Sequence, residues 1–158
     1  MNLRERIVSV LSRRRWFAWM GRWVVTPLDR ALHTSPLAPS RILMTRPLCF
    51  VTTVGRHSGV ARVAPLLYLT AEGGGIVVVA SNWGTSSHPS WSYNLESDPK
   101  ASIEIDGVVT AASARRATGV EYDTYWSRFV VMWPNYDVYR TRVHREIRMY
   151  VLEPVRPV

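Results

Sequence analysis

Two runs of apolar and β-branched residues flank a short glycine-bounded loop between positions 50 and 69, in the sequence FVTTVGRHSGVARVAPLLYL. Runs of this length and composition are typical of β-strands, and a loop of only a few residues brings two such strands side by side. Gly55 and Gly59 bracket the loop and can adopt the positive φ angles that tight turns require. The stretch therefore predicts a strand, a tight loop and a second strand.

The loop itself, residues 55–59, has the side chains of an anion-binding site. Arg56 lies inside it, and Arg62 follows on the second strand. The N–H groups of such a loop can converge on an anion, and arginine offers a rigid fork of donors that matches phosphate or carboxylate. The spacing fits a plain hairpin with two solvated arginines equally well. Spacing alone therefore leaves both interpretations open.

Further strands follow at short intervals. Asp106-Gly107 is a favoured two-residue hairpin turn. The nearly continuous apolar run 76–81 predicts a strand buried on both faces. In all, the predicted strands span residues 49–54, 61–70, 76–81, 102–106, 108–115 and 147–153. Six strands joined mostly by hairpins, with helices inserted late, predict an α+β, mainly β fold in the form of a small barrel with helical cover.

Three helices are predicted after the third strand. A short one covers residues 89–95, with Pro89 in its first turn. Thr118 and Glu121 form a capping-box pattern that opens the second, which presents one apolar face. That face consists of Tyr122, Tyr125, Trp126, Phe129, Val130 and Trp133. Asn135 can cap a third helix that runs to about residue 144.

Composition favours one globular domain, because 158 residues of which 47% are hydrophobic can bury a substantial core. The prediction places a cofactor-binding barrel at residues 48–158, after amphipathic helices and a linker at residues 1–47. Cys49 is the only cysteine, so no disulfide can form within the chain and a reducing, cytoplasmic location fits best. Its position in an apolar strand predicts a buried small hydrophobe.

The net charge of +8 is concentrated near the N-terminus. Residues 1–65 hold eleven arginines against two acids, and residues 66–158 are close to neutral. Such asymmetry attracts an anionic partner such as lipid headgroups, nucleic acid or an acidic cofactor.

Residues 3–20 predict an amphipathic helix. Residues 1–23 contain six arginines, and the same stretch contains Trp16, Trp19 and Trp23. Basic, tryptophan-rich helices can lie in a membrane interface, here on the inner face. The alternative is a helix that docks on its own domain or on the partner in a homodimer. No run of apolar residues is long enough to span a bilayer.

Several kinds of chemistry have no support. The histidines are not paired at metal-ligand spacing, and one cysteine cannot complete a zinc site, so no metal is predicted. Neither a G-x-S-x-G elbow nor a Walker loop occurs. Hydrolases and nucleotide-phosphate enzymes are therefore disfavoured.

Three blocks of the sequence resemble the signature of the deazaflavin-dependent nitroreductase family, which are oxidoreductases that use coenzyme F420. The first is T-T-x-G-R-x-S-G-x-x-R-x-x-P-L at 52–66. The second is A-S-N-W-G at 80–84, followed by H-P-x-W-x-x-N-L at 88–95, and the third is W-P-x-Y-x-x-Y at 133–139. The order and spacing of all three make the resemblance specific over residues 48–154.

This resemblance implies a split β-barrel and a site for coenzyme F420, which carries a deazaflavin ring, a phosphate and a tail of carboxylates. It implies Arg56, His57 and Ser58 at the phosphate and tail. It implies Arg62, Val63, Ala64, Pro65, Leu66 and Leu67 beside the cofactor, and Val79, Ala80, Ser81 and Asn82 at the deazaflavin. Ser90, Trp91, Ser92, Tyr93 and Asn94 complete the implied site.

The chain departs from the family pattern in two places. Asn82-Trp83 stand where the family often has Lys or Gly, and Ser92 stands where it often has Tyr, so one charge contact and one packing contact are expected to be missing. Trp91 fits two interpretations, a wall of the cofactor site or a core anchor of the short helix.

Tyr136 and Ser81 are the candidates for positioning the acceptor. Tyr136 is predicted in a loop between helices, where its phenol can hydrogen-bond a carbonyl or nitro oxygen. A surface or packing tyrosine is the alternative.

Together these features predict a reductase that transfers hydride from reduced coenzyme F420 to a small electron-poor acceptor, such as a quinone, an enone or a nitroaromatic. The same fold with FMN is one alternative, because both cofactors have a tricyclic ring and a phosphate. A basic protein that binds nucleic acid or a membrane surface is another. It leaves the three blocks unexplained, and no nucleic-acid partner is predicted.

Overall fold

The computed structural model describes residues 46–155, which contain six strands and three α-helices. The strands are β1 (Leu48–Val54), β2 (Ala61–Thr70), β3 (Ile76–Val79), β4 (Lys100–Ile105), β5 (Val108–Arg116) and β6 (Met149–Pro154). The helices are α1 (Ser90–Ser97), α2 (Gly119–Met132) and α3 (Asn135–Arg142), and a short 3-10 turn covers Asn82–Gly84.

The strands form a closed barrel in the order β1-β2-β3-β6-β5-β4, in which β4 returns to pair with β1. Every pairing is antiparallel. The glycine-bounded loop joins β1 to β2 in a hairpin that pairs Val54 with Ala61. At the β4–β5 turn, Asp106 and Gly107 have φ angles of 50° and 83°, as a two-residue hairpin turn requires. The predicted mainly β barrel with inserted helices is confirmed.

Side chains of the strands alternate between two apolar cores. On β3, Ile76 and Val78 join the barrel interior, whereas Val77 and Val79 pack beneath α2 and α3. All four are at most 7% exposed, which confirms the strand buried on both faces. Cys49 belongs to the interior core, and burial raises the pKa of its thiol.

Helix α2 covers the outside of the barrel with the predicted apolar face. Its buried members are Tyr125, Trp126 and Phe129, together with Trp133 just after the helix, while Tyr122 and Val130 pack partly buried against them. Because these rings repeat at helical spacing, they face β3 and β6 as one surface.

The predicted capping box does not form. Thr118 is the N-cap residue of α2, but its side chain makes no capping hydrogen bond. Glu121 instead accepts two hydrogen bonds from the Arg115 guanidinium, at 2.7 and 2.8 Å. A charge-assisted bidentate pair competes successfully with a reciprocal cap.

Most of the predicted N-terminal part lies outside the described residues. The helices and linker of residues 1–47, their boundary with the barrel, the membrane-surface partner and the cytoplasmic location therefore stay predictions. Within residues 46–155, no helix is long and apolar enough to cross a membrane.

Candidate cofactor-binding cleft

A cleft of about 350 Å³ lies between the β1–β2 loop, the first half of β2 and the start of α1. Its volume is in the range of small-molecule sites, roughly 300–1,000 Å³. The lining residues are Gly55, Arg56, His57, Ser58, Arg62, Val63, Ala64, Ser90, Trp91 and Asn94. All but Gly55 belong to the set that the family resemblance implies.

The loop owes its shape to its own backbone. Gly55 N–H donates to Val60 O at 2.9 Å, and Gly59 N–H donates to Gly55 O at 2.8 Å. Only Gly59 has a positive φ, 64°. Gly55 is needed for space instead, since a Cβ there would lie 2.6 Å from Ser58 Oγ.

Asn94 ties the loop to α1. The Arg56 N–H donates to Asn94 Oδ1 at 3.1 Å, and Asn94 Nδ2 donates to Thr53 Oγ1 at 3.0 Å. The N–H groups of Gly55, Arg56 and Gly59 are thus already engaged within the protein. These three amides are therefore not available to an anion, contrary to what the sequence suggests for the loop. Attraction for an anion then depends mainly on the arginine side chains.

Two arginines lie against the ring of Tyr93, and one of them, Arg56, lines the cleft. The Arg56 guanidinium carbon lies 4.5 Å from the centre of the Tyr93 ring, and that of Arg148 lies 5.3 Å from it. Arg56 Nε also donates to His57 Nε2 at 3.0 Å. These contacts preorganise Arg56, which otherwise is an exposed side chain.

The opposite wall is apolar. Trp91 is 5% exposed and lines the cleft, and its ring also packs edge-on against Tyr150 of the interior core, with centroids 5.5 Å apart. Both interpretations of Trp91 therefore describe the same side chain. Val63 and Ala64 of β2 extend this wall.

A partly buried polar network links α1 to β6. Tyr150 donates to Glu96 Oε1 at 2.6 Å, and because its hydroxyl has one proton, Ser92 Oγ must be the donor in the 2.8 Å bond between Ser92 and Tyr150. Burial, together with the Glu96 carboxylate, raises the pKa of Tyr150 to about 12. In turn, the hydrogen bond from Tyr150 is the largest of the interactions that lower the pKa of Glu96. Ser92 is fully buried, so a serine here makes a hydrogen bond in place of the missing tyrosine contact.

The remaining implied residues are not among those that line the cleft. Val79 and Ala80 are buried, and Ser81 and Asn82 follow them at the end of β3. Leu66 packs on the interior core, and the others are Pro65, Leu67, Ser92 and Tyr93. Their contact with a cofactor stays a prediction.

The structure corrects the position of Tyr136. It lies inside α3, not in a loop, and only 5% of it is exposed. Its ring packs against Phe129 and Tyr139, with centroids 5.5 and 6.1 Å away, and burial raises the pKa of its phenol. Tyr136 is buried because it lies at helical spacing from other aromatic residues and packs with them in the core. Trp133, which is 3% exposed, is buried in the same core.

Arg145 contacts the segment after β3, and sequence reasoning gave it no role. Its guanidinium donates to Ser81 O at 2.8 Å and lies 3.2 Å from His88 Nδ1. Burial lowers the pKa of His88, and the charge of Arg145 lowers it further. The position of Arg145 shortly after the third block was the available signal, but its partners lie about sixty residues away in the sequence.

The donor set of the cleft fits an elongated anionic cofactor with a planar ring. Arg56 and Arg62 supply forks for phosphate or carboxylate at one end, while Trp91 and Val63 supply an apolar wall. The barrel and this cleft define a split-barrel protein that binds a redox cofactor of the flavin type.

Comparison with known proteins specifies the class further. A family model described as F420H(2)-dependent quinone reductase matches residues 29–154. The chain belongs to this family, which is named for reduced coenzyme F420, so the cofactor prediction is confirmed and the protein is an F420-dependent reductase.

Individual relatives agree with this result. Rv3178 of Mycobacterium tuberculosis, provisionally named an F420H(2)-dependent quinone reductase, is 33% identical over 99 residues, 63% of this chain and 82% of the relative. The structure of F420-H2 dependent reductase (FDR-A) is 34% identical with a TM-score of 0.61, over 68% of this chain and 95% of the other. A structure described as a domain-swapped dimer is 33% identical with a TM-score of 0.62, over 70% and 83%.

Proposed function

We propose that the protein transfers hydride from reduced coenzyme F420 to a quinone, with enones and nitroaromatics as further acceptors. The observation that carries the proposal is the cleft, which combines arginine forks at one end with an indole wall beside them. Membership of a quinone reductase family supports the choice of acceptor. When bound, the reduced cofactor supplies the hydride.

The protein's own residues have three tasks in this proposal. Arg56 and Arg62 bind the anionic end of the cofactor. Trp91 and Val63 exclude water from one face of the ring, and Ser81 borders the place where ring and acceptor meet. Because the cofactor supplies the hydride, the main contribution of the protein to the rate is to orient the two reactants in a site from which water is excluded.

The proposal is tested by two titrations run in parallel, one with coenzyme F420 and one with FMN. Seven tryptophans, among them Trp91 in the cleft, provide the fluorescence signal. We expect quenching by coenzyme F420 at lower concentration than by FMN. Oxidation of reduced F420 is then followed by absorbance with a quinone, an enone and a nitroaromatic. Tighter binding of FMN would favour the alternative cofactor, and no oxidation with any acceptor would contradict the proposal.

We propose a homodimer as the assembly. The similarity to a structure described as a domain-swapped dimer, at 33% identity, supports it. Light scattering coupled to size exclusion measures the mass directly, and 18.0 kDa at all concentrations would exclude a dimer.

We also propose peripheral attachment to the inner face of the membrane through residues 1–23. Their six arginines and three tryptophans support it, since each basic residue near an anionic surface contributes about 1 kcal/mol. Co-sedimentation with anionic and neutral liposomes compares the full chain with one that lacks these residues. Retention of both in the supernatant at low salt would contradict the attachment.

A further inference from the structure

The segment after β3 contains an unusual run of left-handed backbone. Asn82, Trp83 and Gly84 have φ angles of 47°, 57° and 70°. A side chain makes this conformation unfavourable by about 1–2 kcal/mol per residue, so non-glycine residues hold it only where neighbours impose it. The run directly follows Ser81, the residue proposed to border the reacting groups.

Arg145 binds this turn from both ends. Its NH1 and NH2 groups donate to Ala80 O at 3.3 Å and to Ser81 O at 2.8 Å, before the turn. Its Nε donates to Thr85 O at 3.2 Å, after the turn. One rigid, planar guanidinium therefore fixes the distance between the two ends of the left-handed run.

Two other contacts complete the support. Inside the turn, Asn82 Nδ2 donates to Ser87 O and Thr85 Oγ1 donates to Asn82 O, each at 2.9 Å. On its outer side, Gly84 packs so closely on Tyr139 of α3 that a Cβ would come within 2.9 Å of the ring. The turn's own backbone also bonds across it, from Gly84 N–H to Ser81 O at 3.0 Å and from Thr85 N–H to Asn82 O at 3.1 Å. To these local bonds Arg145 adds a side chain from a distant part of the sequence that bonds both ends of the turn.

We propose that Arg145 is a positioning residue of the reductase, which holds the left-handed turn 82–84 so that Ser81 and Asn82 face the cofactor ring. The inference rests on the proposed function. Arg145 touches neither cofactor nor acceptor, and its effect on hydride transfer passes through the carbonyl groups of Ala80, Ser81 and Thr85.

The test compares Arg145→Met with Arg145→Lys, and uses Arg140→Met as the matched control. Arg140 lies on α3 with its guanidinium 5.1 Å from the Trp126 ring, so its variant also loses one charge and one arginine without touching the turn. Each variant is checked by circular dichroism. Its affinity for coenzyme F420 and its rate of oxidation of reduced F420 by a quinone under single-turnover conditions are then measured.

We expect Arg145→Met to lower the hydride-transfer rate by about 10- to 100-fold, the effect of misplacing reacting groups by about 1 Å. Affinity should change by less than about threefold, because Arg56 and Arg62 hold the anionic end. Arg145→Lys keeps the charge but replaces three separate nitrogen donors with a single nitrogen, so it should give an intermediate rate. Arg140→Met should match the wild type.

A folded Arg145→Met with wild-type rate would overturn the inference. If that variant does not fold, Arg145→Lys decides: a rate at least about threefold lower in a native fold supports the role, and an unchanged rate contradicts it. Failure of the wild type itself to bind or oxidise reduced F420 would instead contradict the proposed function. The two failures are therefore distinguishable.

Discussion

The β1–β2 loop, which lines the cleft, and the β3–α1 turn, which follows the proposed acceptor residue Ser81, keep their shapes in different ways. The loop closes through its own amides, and its one left-handed residue is glycine, Gly59. The turn holds Asn82 and Trp83 in left-handed conformations, and it is fixed by an arginine more than sixty residues further along the chain. Each segment is closed by local backbone bonds and tied by a residue distant in the sequence, Asn94 for the loop and Arg145 for the turn. The turn depends more on that tie, because it holds two non-glycine residues in left-handed conformations.

The largest expected effect is on stability, and it comes from replacing one glycine in each of the two segments. Gly84→Ala should lower the free energy of unfolding by about 2–4 kcal/mol, because a positive φ of 70° and a clash with Tyr139 act together. Gly59→Ala should lower it by only about 1 kcal/mol, since its φ is 64° but no atom lies within 4 Å of the added Cβ. Urea unfolding of both variants measures the difference. Equal losses would mean that packing against α3 does not support the turn.

Arg56 of the loop and Arg62 of β2 should have the next largest effect, which is on cofactor binding. Arg56→Ala or Arg62→Ala should each weaken affinity for coenzyme F420 by roughly 1.5–3 kcal/mol, the range for hydrogen bonds to charged groups. Both are exposed, so added salt should weaken wild-type binding too. Arg128→Ala on α2 removes an arginine that contacts Tyr125 instead and serves as control. The loop is no anion site if the Arg56 and Arg62 variants both bind as tightly as that control.

The features that the sequence predicts well are those set by neighbouring residues, and those it misses depend on residues far apart in the chain. Strand β2 lies where the pattern placed it, residues 61–70, and the Asp106-Gly107 turn forms, because alternation and turn chemistry are local signals. The cleft residues near Arg56 were implied by a motif that folds as one hairpin. The clamp of Arg145 on Ser81 could not be predicted, because nothing local links two residues 64 positions apart.

Tyr136 shows a second limit of sequence reasoning. Its place after Trp133-Pro134 suggested a loop, and the same spacing also suits a helix whose aromatic residues enter the core. In the structure the second possibility holds, and Tyr136 contacts Phe129 and Tyr139. Burial of the ring outweighs the polarity of its hydroxyl.

This position makes Tyr136→Phe a smaller perturbation than the Arg56 and Arg62 variants. We expect turnover and affinity for coenzyme F420 to stay within about twofold of wild type. The unfolding free energy should change by at most about 1 kcal/mol, because the ring and its contacts with Phe129 and Tyr139 are retained. Steady-state kinetics and urea unfolding measure both. A large fall in turnover at unchanged affinity would return Tyr136 to the acceptor side of the site, where the sequence placed it.

The smallest expected effect concerns the pH dependence of the turn. His88 Nδ1 faces the Arg145 guanidinium at 3.2 Å, and the ring packs edge-on against Tyr93. Burial lowers the pKa of His88 from its ordinary 6.5, the charges of Arg145, Arg148 and Arg116 lower it further, and Glu146 opposes them. The neutral imidazole is thus favoured in the folded state.

The sign of the effect on stability follows from linkage. Between pH 6.5 and the lowered pKa, the unfolded chain binds a proton at His88 that the folded chain does not, so the free energy of unfolding falls as the pH falls through this window. His88→Asn retains an acceptor for Arg145 but cannot titrate. We therefore expect the variant to lose this part of the slope and to keep the further loss below pH 4.5, where Glu96 and Glu121, whose pKa values are also lowered, become protonated. Urea unfolding at pH 3 to 8 measures the slopes, and identical slopes in wild type and variant would show that folding does not lower the pKa of His88.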